Sequence, residues 1–239
     1  NELEIARKIQ ESFLPKKLPE TGGIDIAAGM FTARQVGGDL YDFIEFENGT
    51  LGVMIGDVSG KGVPASLFMA MVTGEFKSFA APGTPPQDVL FNLNSRLVKE
   101  SSSNLFVTLF YLIFDIGGMT AAYSNGGHLP AIYLGGDEDE VRFLDVAEGA
   151  PLGLMEGPYS ANSMNFKKGG TFVLYTDGIT EAMNPRLEMF GKERLAACVK
   201  ANRSLPPKAL LNAIEKDVRK FEPKSRQHDD MTIIVIRIT

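Results

Sequence analysis

Cysteine is almost absent from this sequence, and its scarcity limits what the protein can be. Cys198 is the only cysteine among 239 residues. A single thiol cannot form an internal disulfide, and it excludes a cysteine-rich zinc site. Because disulfides mark oxidising compartments, the composition favours a reducing, cytoplasmic location.

Positive charge and long apolar runs are also lacking. The 24 Lys and Arg residues are outnumbered by 30 Asp and Glu, which gives a net charge of −6. Without a basic surplus or a long basic run, we expect no nucleic-acid partner. No apolar run approaches the ~20 residues that a membrane-spanning helix needs, so we expect no membrane segment in this chain. The first residues are charged rather than signal-like, and the chain begins at Asn1 without Met, as a fragment of a longer protein would.

The sequence does contain enough apolar residues for one catalytic domain. Hydrophobic residues make up 44% of the chain, which is sufficient for a sizeable core. Apolar residues at helical spacing over 2–14 predict an amphipathic helix that ends at Pro15. We therefore predict a linker or regulatory helix over residues 1–15, followed by a catalytic domain over residues 16–239.

Within that domain, hydrophobic periodicity predicts a mixture of strands and helices. The predicted strands cover residues 24–31, 51–56, 106–114, 120–123, 131–134, 172–176 and 231–238. The predicted helices cover residues 63–80, 86–100, 191–201 and 206–220. The acidic segment 137–140 is interpreted as the solvated tip of a hairpin.

Three aspartates are found at the ends of predicted strands. Asp57 and Asp177 follow apolar strands, whereas Asp229 precedes the last one. If that strand is antiparallel to the other two, all three carboxylates reach one edge of the core. Carboxylates in such a cluster repel one another unless a cation lies between them. Oxygen ligands of this kind suit Mg²⁺ or Mn²⁺.

Two more aspartates, Asp39 and Asp42, follow the flexible pair Gly37 and Gly38 and are further oxygen donors. An alternative interpretation remains for every aspartate in the set. Asp is a favoured residue in turns and at helix starts, so each could have a purely structural role.

Five short segments in order resemble the motifs of SpoIIE/RsbU-type bacterial phosphatases, which belong to the wider PP2C-like (PPM) superfamily. They are GGDLYD at 37–42, GDVSGKG at 56–62, YSNGGHLP at 123–130, LYTDGITE at 174–181 and DDMT at 229–232. The opening ARKIQESFLP at 6–15 resembles the helix that commonly precedes these domains. Each motif alone is weak, whereas five in order at compatible spacing are specific.

The resemblance implies an α+β fold, a PP2C-like αββα sandwich of two mainly antiparallel sheets flanked by helices. It also implies two divalent cations, Mn²⁺ or Mg²⁺, as cofactors. By the same resemblance, Asp57 bridges the ions and the backbone carbonyl of Val58 binds one of them. Asp177 and Asp229 hold an ion on the other side, and Asp39 contacts metal directly or through water. Catalysis would then depend on Asp57, Asp177 and Asp229 through bound metals and a water molecule, without a protein nucleophile.

Four further residues lie near these motifs. Arg34 lies five positions before Asp39, the spacing at which eukaryotic-type PP2C enzymes carry a phosphate-binding arginine. The SpoIIE-type branch is described as lacking that contact, so Arg34 is either a phosphate contact or a surface residue. His128 is interpreted as structural and His228 as a weak neighbour of the site. Asp230 stands where the superfamily often has Asn.

The resemblance further implies a substrate class and partners. The substrate would be phosphoserine or phosphothreonine on a regulatory protein, typically a STAS-type anti-sigma-factor antagonist. An upstream sensor domain and a homodimer joined through the first helix are further expected partners. Two alternatives remain open, a non-catalytic partner-binding module and a metal-dependent phosphohydrolase of small molecules. A diguanylate cyclase is excluded because Leu40 and Tyr41 depart from the GGDEF pattern.

Overall fold

The structure is a computed structural model that describes residues 2–100, 104–136, 140–144, 149–222 and 227–239. Its helices are α1 (Glu2–Phe13), α2 (Val63–Phe79), α3 (Pro86–Glu100), α4 (Asp177–Thr180), α5 (Gly191–Ala201) and α6 (Pro207–Phe221). Its strands are β1 (Ile24–Phe31), β2 (Leu40–Glu45), β3 (Thr50–Val58), β4 (Val107–Asp115), β5 (Thr120–Gly126), β6 (Ile132–Leu134), β7 (Val141–Phe143), β8 (Ala161–Asn165), β9 (Thr171–Tyr175) and β10 (Met231–Ile238).

These elements form two compact units, each built around one sheet. The first unit consists of Asn1–Thr21, Arg34–Pro130 and Asp145–Phe166. The second consists of Gly22–Ala33, Ala131–Leu144 and Lys167–Thr239. Segments of the two units alternate along the chain, so neither unit is a continuous stretch of sequence.

The sheet of the first unit has the strand order β2-β3-β4-β5-β8, and every neighbouring pair is antiparallel. Helices α2 and α3 contribute apolar side chains to the same buried cluster as β3 and β4. In that cluster the rings of Phe76 and Tyr111 meet edge to face, 4.9 Å apart. Because such aromatic pairs add to area burial, this contact helps to fix α2 on the sheet.

The sheet of the second unit has the order β1-β10-β9-β6-β7 and is also antiparallel throughout. Seven of the eight residues of β10 are buried, as its continuous apolar sequence predicts. Helix α6 lies against β1 and β10 through a stripe of buried residues, namely Leu210, Leu211, Ile214 and Val218. This stripe has the spacing of one helix face.

The predicted fold class is confirmed, with two antiparallel sheets and accompanying helices. Four elements were not predicted, namely β2, β7, β8 and α4. Strand β8 alternates between exposed and half-buried residues and lacks an apolar run. Strand β7 and helix α4 have only three and four residues, too few to show a period. Residues 137–139 of the predicted acidic hairpin tip lie outside the described residues.

No helix in the described part of the chain has both the length and the apolar character needed to cross a bilayer.

Candidate metal centre

In the first unit, the loop that contains Gly37 and Gly38 lies against the C-terminal end of β3. The backbone N–H of Val58 donates a hydrogen bond to the carbonyl oxygen of Gly38, at 3.3 Å. A Cβ atom added to Gly38 would lie 2.9 Å from the Val58 carbonyl oxygen and 3.3 Å from Oδ1 of Asp57. Only glycine therefore allows the loop to approach these two oxygens so closely. Asp39, the next residue of the loop, is 1% exposed.

The position of Asp57 corrects one detail of the sequence-based interpretation. Asp57 does not follow its strand but lies inside it, because the β3–β4 ladder continues through the pairs Asp57–Thr108 and Val58–Val107. The apolar pattern ended at Gly56, whereas the hydrogen-bonded strand does not. The strand ladder thereby fixes the backbone of both predicted ligands.

A polar cluster supports the same stretch of backbone. Oγ1 of Thr108 lies 2.9 Å from Nδ1 of His128 and 3.4 Å from the Asp57 carbonyl oxygen. The side-chain amide of Asn125 donates to the His128 carbonyl oxygen at 2.8 Å and accepts from the His128 N–H at 2.7 Å. These contacts support the interpretation of His128 as structural.

Asp42 has a different role from the oxygen donor considered above. Its Oδ2 lies 2.8 Å from Nζ of Lys77, which joins β2 to α2. Burial raises the pKa of the Asp42 carboxyl, and the ammonium of Lys77 lowers it by a smaller amount. A carboxylate held in this ion pair is a poor candidate for a metal ligand.

In the second unit, Asp177 and Asp229 share one edge of the sheet. Strand β10 is antiparallel to β9, which is the condition under which these two carboxylates reach the same edge. Asp177 begins α4 two residues after β9 ends, and Asp229 lies two residues before β10 begins. Two hydrogen bonds join the chain after β9 to the start of β10. The Thr176 N–H donates to the Thr232 carbonyl at 3.1 Å, and the Thr232 N–H donates to Oγ1 of Thr176 at 2.9 Å. Asp57 belongs to the other sheet, so the shared sheet edge joins only two of the three predicted carboxylates.

The segment before β10 is held by several hydrogen bonds. Oδ1 of Asp230 accepts from the N–H of Ala33 at 2.8 Å, and Oδ1 of Asp229 accepts from the N–H of Asp230 at 3.0 Å. A Cβ atom added to Gly178 would collide with the carbonyl oxygen of Asp230, so glycine is required for this approach. Asp230 therefore has a structural bond, and both His228 and Arg34 are exposed.

The donors fit a hard divalent cation better than a soft one. The oxygens described are carboxylates and a backbone carbonyl, which suit Mg²⁺ and Mn²⁺. Among the described residues, no three His, Cys, Asp or Glu side chains form a ready-made metal cluster. A site of the Mg²⁺ type does not require one, since it uses one or two carboxylates, other oxygens and several waters.

Sequence reasoning did not identify the supporting residues Gly38, Thr108 and Asn125. The Gly-Gly pair and the SNGGH motif were visible in the sequence. However, the Gly-Gly pair does not show which backbone oxygens lie beside it, because those oxygens come from β3, about twenty residues away along the chain from Gly38.

Comparisons with known proteins agree on one family. The sequence model of Stage II sporulation protein E (SpoIIE) matches residues 47–239. The chain is 31% identical to phosphoserine phosphatase RsbU of Bacillus subtilis over 99% of its own length and 70% of RsbU. It is 28% identical to protein IcfG of Synechocystis over 98% of its own length and 41% of IcfG.

A solved structure shows the same fold. The SiaA-PP2C domain of Pseudomonas aeruginosa superposes with a TM-score of 0.88 and 21% identity, covering 100% of this chain and 96% of that domain. The family model covers more than half of the chain, and the two sheets with their helices agree with the PP2C-like architecture. This chain belongs to the SpoIIE/RsbU-type family of PP2C-like bacterial serine/threonine phosphatase domains.

Proposed function

We propose that this domain hydrolyses phosphoserine or phosphothreonine on a regulatory protein with the help of two divalent cations, Mn²⁺ or Mg²⁺. The main supporting observation is the approach of Gly38 to the Asp57 carboxylate and the Val58 carbonyl oxygen, beside the buried Asp39. Because Gly38 has no Cβ, the loop that carries Asp39 can lie against these two oxygen donors, as ligands that share a metal centre must.

The proposed ligands in the first unit are Asp57, the Val58 carbonyl and Asp39, the last directly or through water. Those in the second unit are Asp177 and Asp229. When bound, such ions neutralise phosphoryl oxygens and make a water molecule a better nucleophile. The protein's own contribution is to fix these oxygens on strand ends and tight turns, so that little reorganisation is needed during the reaction.

Arg34 is the proposed contact for the substrate phosphate. It lies on the surface of the first unit, five residues before Asp39, and a guanidinium can bind phosphate through two hydrogen bonds. Replacing Arg34 by Met should raise KM with a smaller effect on kcat. An unchanged KM would leave Arg34 as an ordinary surface residue.

The proposed substrate is a STAS-type anti-sigma-factor antagonist, as the family resemblance implies, and the relative RsbU is named a phosphoserine phosphatase. We further propose that α1 connects the domain to an upstream sensor or to a second copy of the chain. Ile5 and Ile9 of α1 are 59% and 54% exposed, which is compatible with such a contact. Deleting residues 1–14 should change the oligomeric state in light scattering or the turnover rate, and an unchanged value of both would contradict the proposal.

The enzymatic proposal is tested first with a generic aryl phosphate, assayed with Mn²⁺ and with EDTA. Phosphate release that requires Mn²⁺ would support it, whereas no release in either condition would favour a partner-binding module. A panel of phosphoserine and phosphothreonine proteins against nucleotides then separates a protein phosphatase from a phosphohydrolase of small molecules. Preference for the nucleotides would contradict the proposed substrate class.

A further inference from the structure

Helix α1 buries an unexpected side chain. Among residues Glu2–Phe13, Gln10 alone is buried, with 6% exposure, while Ile5 and Ile9 remain more than half exposed. Long polar side chains are seldom buried unless their polar atoms are paired. A helix that exposes isoleucine and buries glutamine is positioned here by specific hydrogen bonds as well as by apolar contact.

Both polar groups of the Gln10 side chain bond to the backbone of one residue, Gly37. Nε2 of Gln10 donates to the carbonyl oxygen of Gly37 at 2.6 Å. The N–H of Gly37 in turn donates to Oε1 of Gln10 at 3.1 Å. The two bonds use both backbone polar groups of Gly37 and join residues 27 positions apart in the sequence.

Gly37, the residue held in this way, belongs to the loop that carries the proposed metal ligand Asp39. Gly37 precedes Gly38, which contacts the Val58 carbonyl oxygen and Asp57, and it lies two residues before Asp39. Two adjacent glycines give this loop more conformational freedom than other residues would, so ordering the loop costs more entropy. A side chain that fixes this loop before a ligand arrives reduces the ordering cost of binding.

We propose that Gln10 is a positioning residue, through which α1 holds the loop of Gly37, Gly38 and Asp39 in its ion-binding conformation. The inference rests on the proposed function only in taking Asp39 and its neighbours as the metal-binding group. It follows that a displacement of α1 that breaks the Gln10–Gly37 pair loosens the loop and weakens the binding of the divalent cation.

The test replaces Gln10 by Met, which has a similar length and no comparable hydrogen-bonding groups. The matched control is Arg7→Met, which introduces the same residue on the exposed side of α1 and removes only an exposed pair with Glu11. Hydrogen–deuterium exchange reports on the Gly37 amide in the metal-free full chain. Calorimetric titration with Mn²⁺ reports on ion affinity without reference to turnover.

For Gln10→Met we expect exchange at Gly37 to become about tenfold faster, the ratio that corresponds to the loss of roughly one to two net hydrogen bonds. We expect the dissociation constant for Mn²⁺ to rise about fivefold, on the same reasoning. Arg7→Met should change neither value. Circular dichroism checks that each variant folds, and Gln10→Asn, whose shorter side chain cannot keep both bonds, provides a second variant with the same expected direction.

Asp39→Asn separates the two ways in which the inference could fail. If Asp39→Asn weakens Mn²⁺ binding but Gln10→Met and Gln10→Asn do not, the positioning role is wrong and the proposed ligands stand. If Asp39→Asn and Asp57→Asn also leave Mn²⁺ binding unchanged, the proposed metal centre itself is wrong. Faster exchange at Gly37 together with weaker Mn²⁺ binding in both Gln10 variants supports the proposal.

Discussion

Replacing Lys77 by Met should destabilise the first unit, by an amount that depends on pH. Lys77 Nζ lies 2.8 Å from Oδ2 of Asp42, and the two side chains are 51% and 4% exposed. The substitution keeps the aliphatic part of the lysine chain but leaves the buried carboxylate without its cation.

The size of the effect follows from the burial of the two partners. Removing one partner of a fully buried pair costs about 3–5 kcal/mol, whereas an exposed pair contributes about 0–1 kcal/mol. Since the carboxylate is buried and the ammonium is half exposed, we expect Lys77→Met to lower the free energy of unfolding by about 2 kcal/mol near neutral pH.

The pH dependence follows from the pKa of Asp42. Burial raises this pKa above its unfolded value, so the favourable contribution of the protonated carboxyl is present at low pH and is lost as pH rises through the folded pKa. Lys77 lowers the same pKa, and its removal should raise it further. The cost of Lys77→Met should therefore be small near pH 4, about the unfolded pKa of Asp, and approach its full value towards pH 7.

Urea unfolding at the two pH values measures this difference for the wild type, Lys77→Met, Asp42→Asn and the double variant. The control is Lys99→Met, which removes an exposed lysine from the last turn of α3, as Lys77 lies in the last turn of α2. Lys99→Met should change stability by no more than about 0.5 kcal/mol. A cost for Lys77→Met that is the same at both pH values, or that persists in full when Asp42 is Asn, would refute the reasoning.

Three further predictions concern other residues of the two units. His128→Phe should lower the free energy of unfolding by about 1–3 kcal/mol in urea titrations, because Thr108 loses a buried partner, whereas the same change at the exposed His228 should have little effect. Burial raises the pKa of Cys198 to about 12, so native protein should react with iodoacetamide at pH 8 far more slowly than protein in urea, and equal rates would contradict this burial. Asp177→Asn should abolish turnover and keep or raise the melting temperature in EDTA. It should also lose much of the Mn²⁺-induced stabilisation, which for the wild type we expect to be about 2.7 kcal/mol at an Mn²⁺ concentration ~100 times the dissociation constant. Full activity or a full Mn²⁺ shift in that variant would show that Asp177 is not a ligand.

Much of the fold could be predicted because most of its strands have mainly apolar sequences. The predicted limits of β1 and β10 agree with the structure at both ends. Strand β8 has no such run, since its side chains alternate between exposed and half-buried positions. Strand β2 was not predicted, since the acidic residues Asp42 and Glu45 interrupt its apolar sequence. Its pairing with β3 depends on contacts that are not local in the sequence.

In the candidate site, too, features that depend on the local sequence could be predicted, whereas contacts between distant residues could not. The apolar pattern predicted that Asp177 follows one strand and Asp229 precedes another, whereas the antiparallel pairing that joins them is a finding of the structure. The contacts of Gln10 could not be predicted, because a polar residue in an amphipathic helix is ordinarily assigned to the solvent face. Its burial depends on Gly37, which is distant in sequence and whose hydrogen-bonding groups belong to the backbone.

The proposed metal centre is tested most directly by crystals soaked in Mn²⁺, with anomalous difference density calculated at the manganese absorption edge. We predict peaks within coordination distance of Asp57 and the Val58 carbonyl oxygen, and of Asp177 and Asp229, at about 2.0–2.6 Å from their oxygens. Peaks elsewhere, or no peak beside these residues at saturating Mn²⁺, would contradict the proposed metal centre.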